Sequence, residues 1–310
     1  MTITKKAYAK INLALDITGL REDGYHMVRM IMQTVGVHDT LTFERREDGK
    51  GEISIRFASE ESQEEKPLSL GTDNLIYKAA RLLMDKGGVT GSVDITLQKS
   101  IPIAAGLAGG SSDCAAAMKG INELFGLGLS LQELMEIGVT LGADVPYCLL
   151  GGTAISEGIG EILTPLPAFP ECTVLLAKPS IGVSTKEAYG GYDALYASGA
   201  HIAHPNLDAI ISILRNEENK SSEELIAGLS NEMGNVLEIV TAANHPEIGR
   251  IENAIKEVGA DAVMMSGSGP TVFALFMDQE KAWKAAELLG DRELAAEIFV
   301  TTIKNDVLEN

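Results

Sequence analysis

The sequence predicts an α+β fold, and three observations lead to it. Strand-like and helix-like segments follow one another in mixed order, without the regular alternation of a doubly wound parallel sheet. At 310 residues the chain is long enough for roughly two domains. Three prolines, Pro165, Pro167 and Pro170, crowd one short stretch, where neither helix nor strand continues easily. They set the expected boundary between an N-terminal domain, 1–164, and a C-terminal domain, 165–310. No internal repeat is evident.

The elements follow in order. Ile11, Leu13, Leu15 and Ile17 alternate with Lys10, Asn12, Ala14 and Asp16, a period of two that predicts a strand. Lys10 and Asn12 then share a face, roughly 7 Å apart. Further strands are expected at Thr40–Arg45, Ile53–Phe57 and Val93–Lys99. A polar, Glu-rich stretch between Phe57 and Asn74 reads as a solvated loop, and Asn74–Lys86 as a helix with Leu75, Ala79, Leu82 and Leu83 on one side. A second helix is expected from Ser111 to about Phe125. A third starts at Ser130, where Ser130 and Glu133 have capping-box spacing, and runs to Gly142. Thr153–Glu157 reads as a strand. Beyond the prolines come a strand at Val174–Lys178, a helix opened by Ser184 and Glu187, and helices near 206–215, 222–229, 231–243 and 246–258. Strands at Ala262–Met265 and Thr271–Phe276, a helix near 279–289 and a strand near 297–303 complete the chain.

Composition narrows the function. Hydrophobic residues at 45% and charged residues at 22% are those of an ordinary globular protein. Lysine and arginine number 25 against 44 acidic residues, a net charge of −19, so long-range repulsion disfavours nucleic acid and anionic membranes as partners. A phosphate ligand in a local pocket is still permitted. The three cysteines, Cys114, Cys148 and Cys172, have no metal-finger spacing and suit a reducing compartment, where they read as small buried hydrophobes. The apolar start is interrupted by Lys10 and Asn12, unlike a signal peptide, and no apolar run is long enough to span a bilayer. A cytoplasmic location is expected.

Two glycine loops carry the chemistry. Pro102-Ile103-Ala104-Ala105-Gly106-Leu107-Ala108-Gly109-Gly110-Ser111-Ser112 follows a strand and opens a helix. Small residues let the backbone approach a ligand, and unpaired N–H groups at a helix start attract anions, so this loop suits a di- or triphosphate. Ser111 and Ser112 add hydroxyls, and Asp113 reads as a first-turn helix acid. A ligand-free Gly-Ser turn is the competing reading. The loop lacks the Walker A lysine, and neither a dinucleotide fingerprint nor protein-kinase elements occur. The second loop, Ser266-Gly267-Ser268-Gly269-Pro270, is either a plain hairpin turn or a clamp of N–H groups facing the first.

Three segments, AYAKINLAL, PIAAGLAGGSSD and MSGSGPTVF, resemble in order and spacing the three motifs of the GHMP kinases, among them galactokinase, homoserine kinase, mevalonate kinase and phosphomevalonate kinase. Gly24-Tyr25-His26, Leu141-Gly142-Ala143-Asp144-Val145-Pro146 and Gly158-Ile159-Gly160-Glu161 resemble the branch that acts on 4-diphosphocytidyl-2-C-methyl-D-erythritol. The resemblance implies a two-domain fold with the active site in the interdomain cleft, a left-handed crossover in its N-terminal half, and transfer of the ATP γ-phosphoryl group to the substrate's 2-hydroxyl. It assigns Asp144 as base and Lys10 as its electrostatic partner. Taken alone, these residues read as a helix N-cap and a solvated strand charge. It places the ATP phosphates on Pro102, Ala104, Ala105, Gly106, Leu107, Ala108, Gly109, Gly110, Ser111 and Ser112, with adenine near Asn74 and Lys99. Asn12 would meet the substrate hydroxyls, and Tyr25, His26 and Tyr189 the cytosine. Ser268 and Gly269 would border the substrate diphosphate. Mg²⁺ is expected with the nucleotide, without a protein carboxylate that must bind it. Ala104, Ala105 and Ala108 stand where many members have glycine, and 191–205 has no placed counterpart. Rival readings are a kinase for a mevalonate- or homoserine-like alcohol, a diphosphomevalonate decarboxylase, and a binding protein with a degenerate site.

Overall fold

A computed structural model describes residues 1–59, 68–216 and 220–305. The middle of the expected Glu-rich loop, 60–67, lies outside the described residues. Two sheets and ten helices form the described fold. The first sheet begins with β1 (Thr2–Leu20) and β2 (His26–Arg46), which pair antiparallel along nearly their whole length. β3 (Ile53–Phe57) and β4 (Ser92–Gln98) extend it on one side, joined through helix α1 (Leu75–Lys86). Helix α2 (Gly109–Leu124) and the shorter α3 (Leu131–Gly138) and α4 (Val145–Leu150) follow. β5 (Thr153–Glu157) and β6 (Ile162–Pro165) then return to β2, giving the order β3-β4-β2-β1 with β5 and β6 off that path.

The second sheet is antiparallel throughout. β7 (Thr173–Lys178) precedes five helices: α5 (Thr185–Ala197), α6 (Leu207–Arg215), α7 (Ser222–Ser230), α8 (Glu238–Asn244) and α9 (Pro246–Val258). Between α7 and α8 the two-residue β8 (Gly234–Asn235) pairs with β1. β9 (Ala262–Met265), β10 (Val272–Phe276), helix α10 (Gln279–Asp291) and β11 (Glu297–Thr302) complete the order β11-β7-β10-β9. No helix among the described residues is long and apolar enough to cross a membrane.

The first strand departs from simple alternation. Ile11 and Leu13 are fully buried with Val174, Leu176 and Phe273 of the second sheet, whereas Leu15 and Ile17 belong to a neighbouring cluster with Tyr147 and Met265. Bulges between Tyr8 and Lys10, Asn12 and Ala14, and Ile17 and Gly19 cause the switch, because one extra residue re-aims every side chain that follows. A third cluster packs α1 and α2 on β2, β3 and β4 around Phe43. Gly120 of α2 permits that contact, since a β-carbon there would stand 2.5 Å from the Phe43 ring.

Three expectations are corrected. β2 runs from His26 rather than from Thr40, with Met30, Ile31 and Met32 buried by β1 and β5. The helix expected at 231–243 starts only at Glu238, because Gly234 and Asn235 are drawn into the sheet beside Ala14 and Leu15. The helix expected to reach Gly142 ends at Gly138; Gly142 instead accepts from the Val145 N–H in the turn leading to α4. The capping box at Ser130 is present with both of its reciprocal bonds.

Candidate active site

The first bulge builds one wall of the site. At Ala9 the β1 backbone loses its register with β2, and the Lys10 N–H turns away to donate to Leu107 O at 3.2 Å. The first glycine loop is thereby held against β1. Lys10 and Asn12 share the other face of the strand as expected, with Lys10 Nζ donating to Asn12 Oδ1 at 2.6 Å. Asn12 is fully buried, and its amide donates weakly to Met30 Sδ at 3.4 Å. Only 7% of the Lys10 side chain is exposed, so its charge is directed into the site rather than into solvent.

Opposite stands Asp144, whose Oδ2 is 3.9 Å from Lys10 Nζ. Asp144 occupies the N-cap position of α4, yet its side chain makes no capping hydrogen bond. The adjacent Pro146 has no N–H to offer a cap acceptor. One third of the Asp144 side chain is exposed. Sequence spacing places a carboxylate at a helix start; the structure leaves that carboxylate free for other chemistry. Cys148, one turn along α4, is inert as a nucleophile: burial, reinforced by the Asp144 charge, pushes its thiol up to about 12.

The loop between β4 and α2 forms the floor. Ala104 (φ 51°), Gly106 (φ 74°) and Ala108 (φ 55°) all lie in the left-handed region. Two alanines thus carry strain of about 1–2 kcal/mol each that glycine would avoid. Pro102, Ala105 and Leu107 are buried beneath. Ala108 caps α2 without a side-chain bond, so the first-turn N–H groups of Gly109, Gly110 and Ser111 have no cap to satisfy them. Ser111 makes no side-chain hydrogen bond among the described residues. Ser112 differs: its buried hydroxyl donates to Tyr8 O at 2.5 Å, which ties α2 to β1 and occupies a group expected to meet phosphate.

The second loop packs directly on the first. A β-carbon at Gly106 would stand 2.2 Å from Ser266 O, and one at Gly267 would stand 3.0 Å from Gly106 O and 3.4 Å from Lys10 Nζ. Ser266 Oγ donates to Gly106 O at 3.1 Å. Asn235 holds this loop from behind, its amide donating to Met265 O and Gly267 O at 2.9 and 2.7 Å. Ser268 contacts Thr185 Oγ1 at 3.2 Å, and Gly269 donates to Ser266 O within the turn. Glu238 Oε2 accepts from the Met265 N–H at 2.7 Å; burial, then the neighbouring Glu252 charge, pushes that carboxyl up to about 7. Sequence reasoning missed Asn235 and Glu238. The Gly234-Asn235 pair inside an expected helix was the available signal for the first.

At the far end His26 packs on Tyr189, ring centroids 4.8 Å apart and tilted by 40°. Its Nε2 lies 2.7 Å from Asp193 Oδ1. Tyr25 stands 60% exposed beside Gly24 (φ 86°), so the structure brings His26, rather than Tyr25, against the Tyr189 ring. Burial, then the Asp144 charge, raises the Tyr189 phenol above its ordinary range.

Two expected nucleotide contacts are engaged elsewhere. Asn74 caps α1, accepting from Ile76 N at 2.8 Å and donating to Ser69 O at 2.6 Å. The Lys99 ammonium is buried between Asp39 and Asp113. Among the described residues no group of three His, Cys, Asp or Glu side chains is arranged to hold a metal.

Comparison with known proteins agrees with this architecture. The family model described as GHMP kinases N terminal domain matches residues 74–152, and that described as GHMP kinases C terminal matches 214–292. A 4-diphosphocytidyl-2-C-methyl-D-erythritol kinase from Lachnospira eligens is 43% identical over 97% of this chain and 98% of its own length. One of the same name from Lachnoclostridium phytofermentans is 45% identical over 91% of each chain. A crystal structure of 4-(cytidine 5'-diphospho)-2C-methyl-D-erythritol kinase superposes with a TM-score of 0.77 at 29% identity, covering 98% of this chain and 100% of that one. With both halves matched and relatives aligned nearly end to end, the chain belongs to the GHMP kinase family.

Proposed function

We propose that the protein transfers the γ-phosphoryl group of ATP to the 2-hydroxyl of 4-diphosphocytidyl-2-C-methyl-D-erythritol, releasing ADP and the 2-phosphate. The observation that carries the reading is the uncapped Asp144 carboxylate, 3.9 Å from the buried Lys10 ammonium and beside a helix start with unclaimed N–H groups. Names and identities of the relatives support the choice of substrate.

In this reading the first-turn N–H groups of α2 and the backbone from Ala104 to Ser111 bind the ATP phosphates. Asp144 accepts the proton of the substrate hydroxyl as its oxygen bonds to the γ-phosphorus and the bond to the ADP oxygen breaks. Lys10 pairs with Asp144 and offsets charge on the transferring group. Asn12 orients Lys10. Ser268 and Gly269 border the substrate diphosphate, and His26 and Tyr189 hold the cytosine. Mg²⁺ would be held chiefly by the nucleotide phosphates, with the Ser111 hydroxyl, which makes no side-chain hydrogen bond among the described residues, as the protein group that would join them. When bound, the ion supplies charge neutralisation for phosphoryl transfer. We also propose two domains meeting at 164/165, with the active site in the cleft between them, and a cytoplasmic setting.

An ATP-consumption assay with a panel of alcohols tests the assignment. Turnover is expected with the cytidyl substrate and not with mevalonate, homoserine or diphosphomevalonate. Turnover confined to a non-nucleotide alcohol overturns the substrate, and phosphate release with loss of CO₂ from diphosphomevalonate overturns the reaction class.

A further inference from the structure

The buried cluster behind the first glycine loop is unused by the mechanism above. Lys99 Nζ ion-pairs with Asp39 Oδ2 and, at 3.0 Å, with Asp113 Oδ2; the three side chains are 3%, 0% and 4% exposed. They come from β2, the end of β4 and the second turn of α2. Asp39 Oδ1 also accepts from the Ser100 and Ile101 N–H groups, where the loop begins. On the other side, a β-carbon at Gly109 would stand 3.1 Å from Lys99 Nζ, so the ammonium lies against the first helical residue of α2.

The charges do not balance if both carboxyls are ionised. Two carboxylates and one ammonium would leave a buried negative charge just behind a loop built to hold phosphates. The contacts resolve this. Asp39 accepts from two backbone N–H groups and from Lys99. Asp113 Oδ1 is buried with no donor, while the Oδ2 atoms of Asp113 and Asp39 meet on the same Lys99 ammonium. A single proton on Asp113, donated to Asp39, satisfies the orphaned oxygen and makes the cluster neutral. Burial, and the Asp39 charge working against that of Lys99, raise the Asp113 carboxyl well above the usual carboxylate range.

We propose that Asp39, Lys99 and Asp113 form a positioning cluster for nucleotide binding, in which Asp113 acts as a neutral hydrogen-bond donor that ties the start of α2 to the start of the loop. The neutral cluster then leaves no net negative charge behind the N–H groups that face the phosphates. The proposal rests on the reading that this loop holds the ATP phosphates.

Asp113→Ala and Asp113→Asn separate the possibilities. Both are conservative within a helix already lined by Ala115, Ala116 and Ala117, and thermal unfolding checks that each variant is folded. ATP binding is measured by calorimetry on the full chain, and KM for ATP and for the alcohol acceptor by steady-state kinetics. Asp113→Ala is expected to weaken ATP binding and raise KM for ATP about five- to tenfold, with kcat and acceptor KM within about twofold of the parent. Asp113→Asn, whose amide can still donate to Asp39, is expected to restore near-parental values. Unchanged ATP affinity in Asp113→Ala overturns the proposal. So does Asp113→Asn as impaired as Asp113→Ala, or a parallel rise in both KM values. Failure of the unaltered protein to bind ATP would instead overturn the reading of the loop.

Discussion

Lys10 and Asp144 are 134 positions apart in the chain, yet the structure holds them 3.9 Å from each other. The shared face of Lys10 and Asn12 was legible from period two alone. What no spacing rule reveals is that Asp144 is excused from capping its helix, which depends on Pro146 and on the turn at Gly142. Replacing Asp144 with Asn is expected to lower kcat by about 10²–10⁴-fold with ATP binding retained, read by steady-state kinetics and calorimetry. A second residue-scale prediction concerns Glu238. Its carboxyl holds a proton up to about 7, against an ordinary 4.5. The folded state therefore binds that proton more tightly than the unfolded chain. Its contribution to stability is full below about pH 4.5 and is lost as pH rises through 7. Glu252→Gln removes the neighbouring charge and supplies an N–H, so the decline in melting temperature across that window is expected to shrink. An unchanged slope would remove Glu238 as its source.

Among elements, helices with a cap or clear amphipathic spacing, such as Leu75–Lys86 and Leu131–Gly138, were legible to within a few residues at their starts. The first half of β2 was not, because HMVRMIMQTVGVHD is apolar on both faces, packed between β1 and β5, and bulged at Val35–Val37. The two glycine loops were recognisable as loops, and one of two readings had the second facing the first, but their direct contact was not legible. Their contact makes a sharp prediction. Gly106→Ala places a methyl group 2.2 Å from Ser266 O at a φ of 74°. Left-handed strain alone costs about 1–2 kcal/mol, and the collision must also push the loops apart. A lowered melting temperature and loss of most ATP turnover are expected. Normal turnover in a folded variant would show that the two loops need not touch.

At the scale of the molecule, a net charge of −19 surrounds a site proposed to hold two polyanionic ligands. Local positive charge from Lys10 and the α2 start must act against a repulsive background that salt screens beyond ~10 Å at 0.1 M. Moderate salt is therefore expected to tighten ATP binding, the reverse of a basic phosphate binder; a steep loss of affinity between low and physiological ionic strength would contradict this. Separation of the chain into halves at the proline stretch was suggested by sequence, but the depth of their union was not. Ile11 and Leu13 of β1 are sealed against Val174, Leu176 and Phe273 of the second sheet, and Ile303 returns to pair with Val35. The strand that carries Lys10 is thus a joist common to both floors of the building. Pulling apart the segments before and after the proline stretch would expose that dry seam to water, a cost that opposes any wide opening of the molecule.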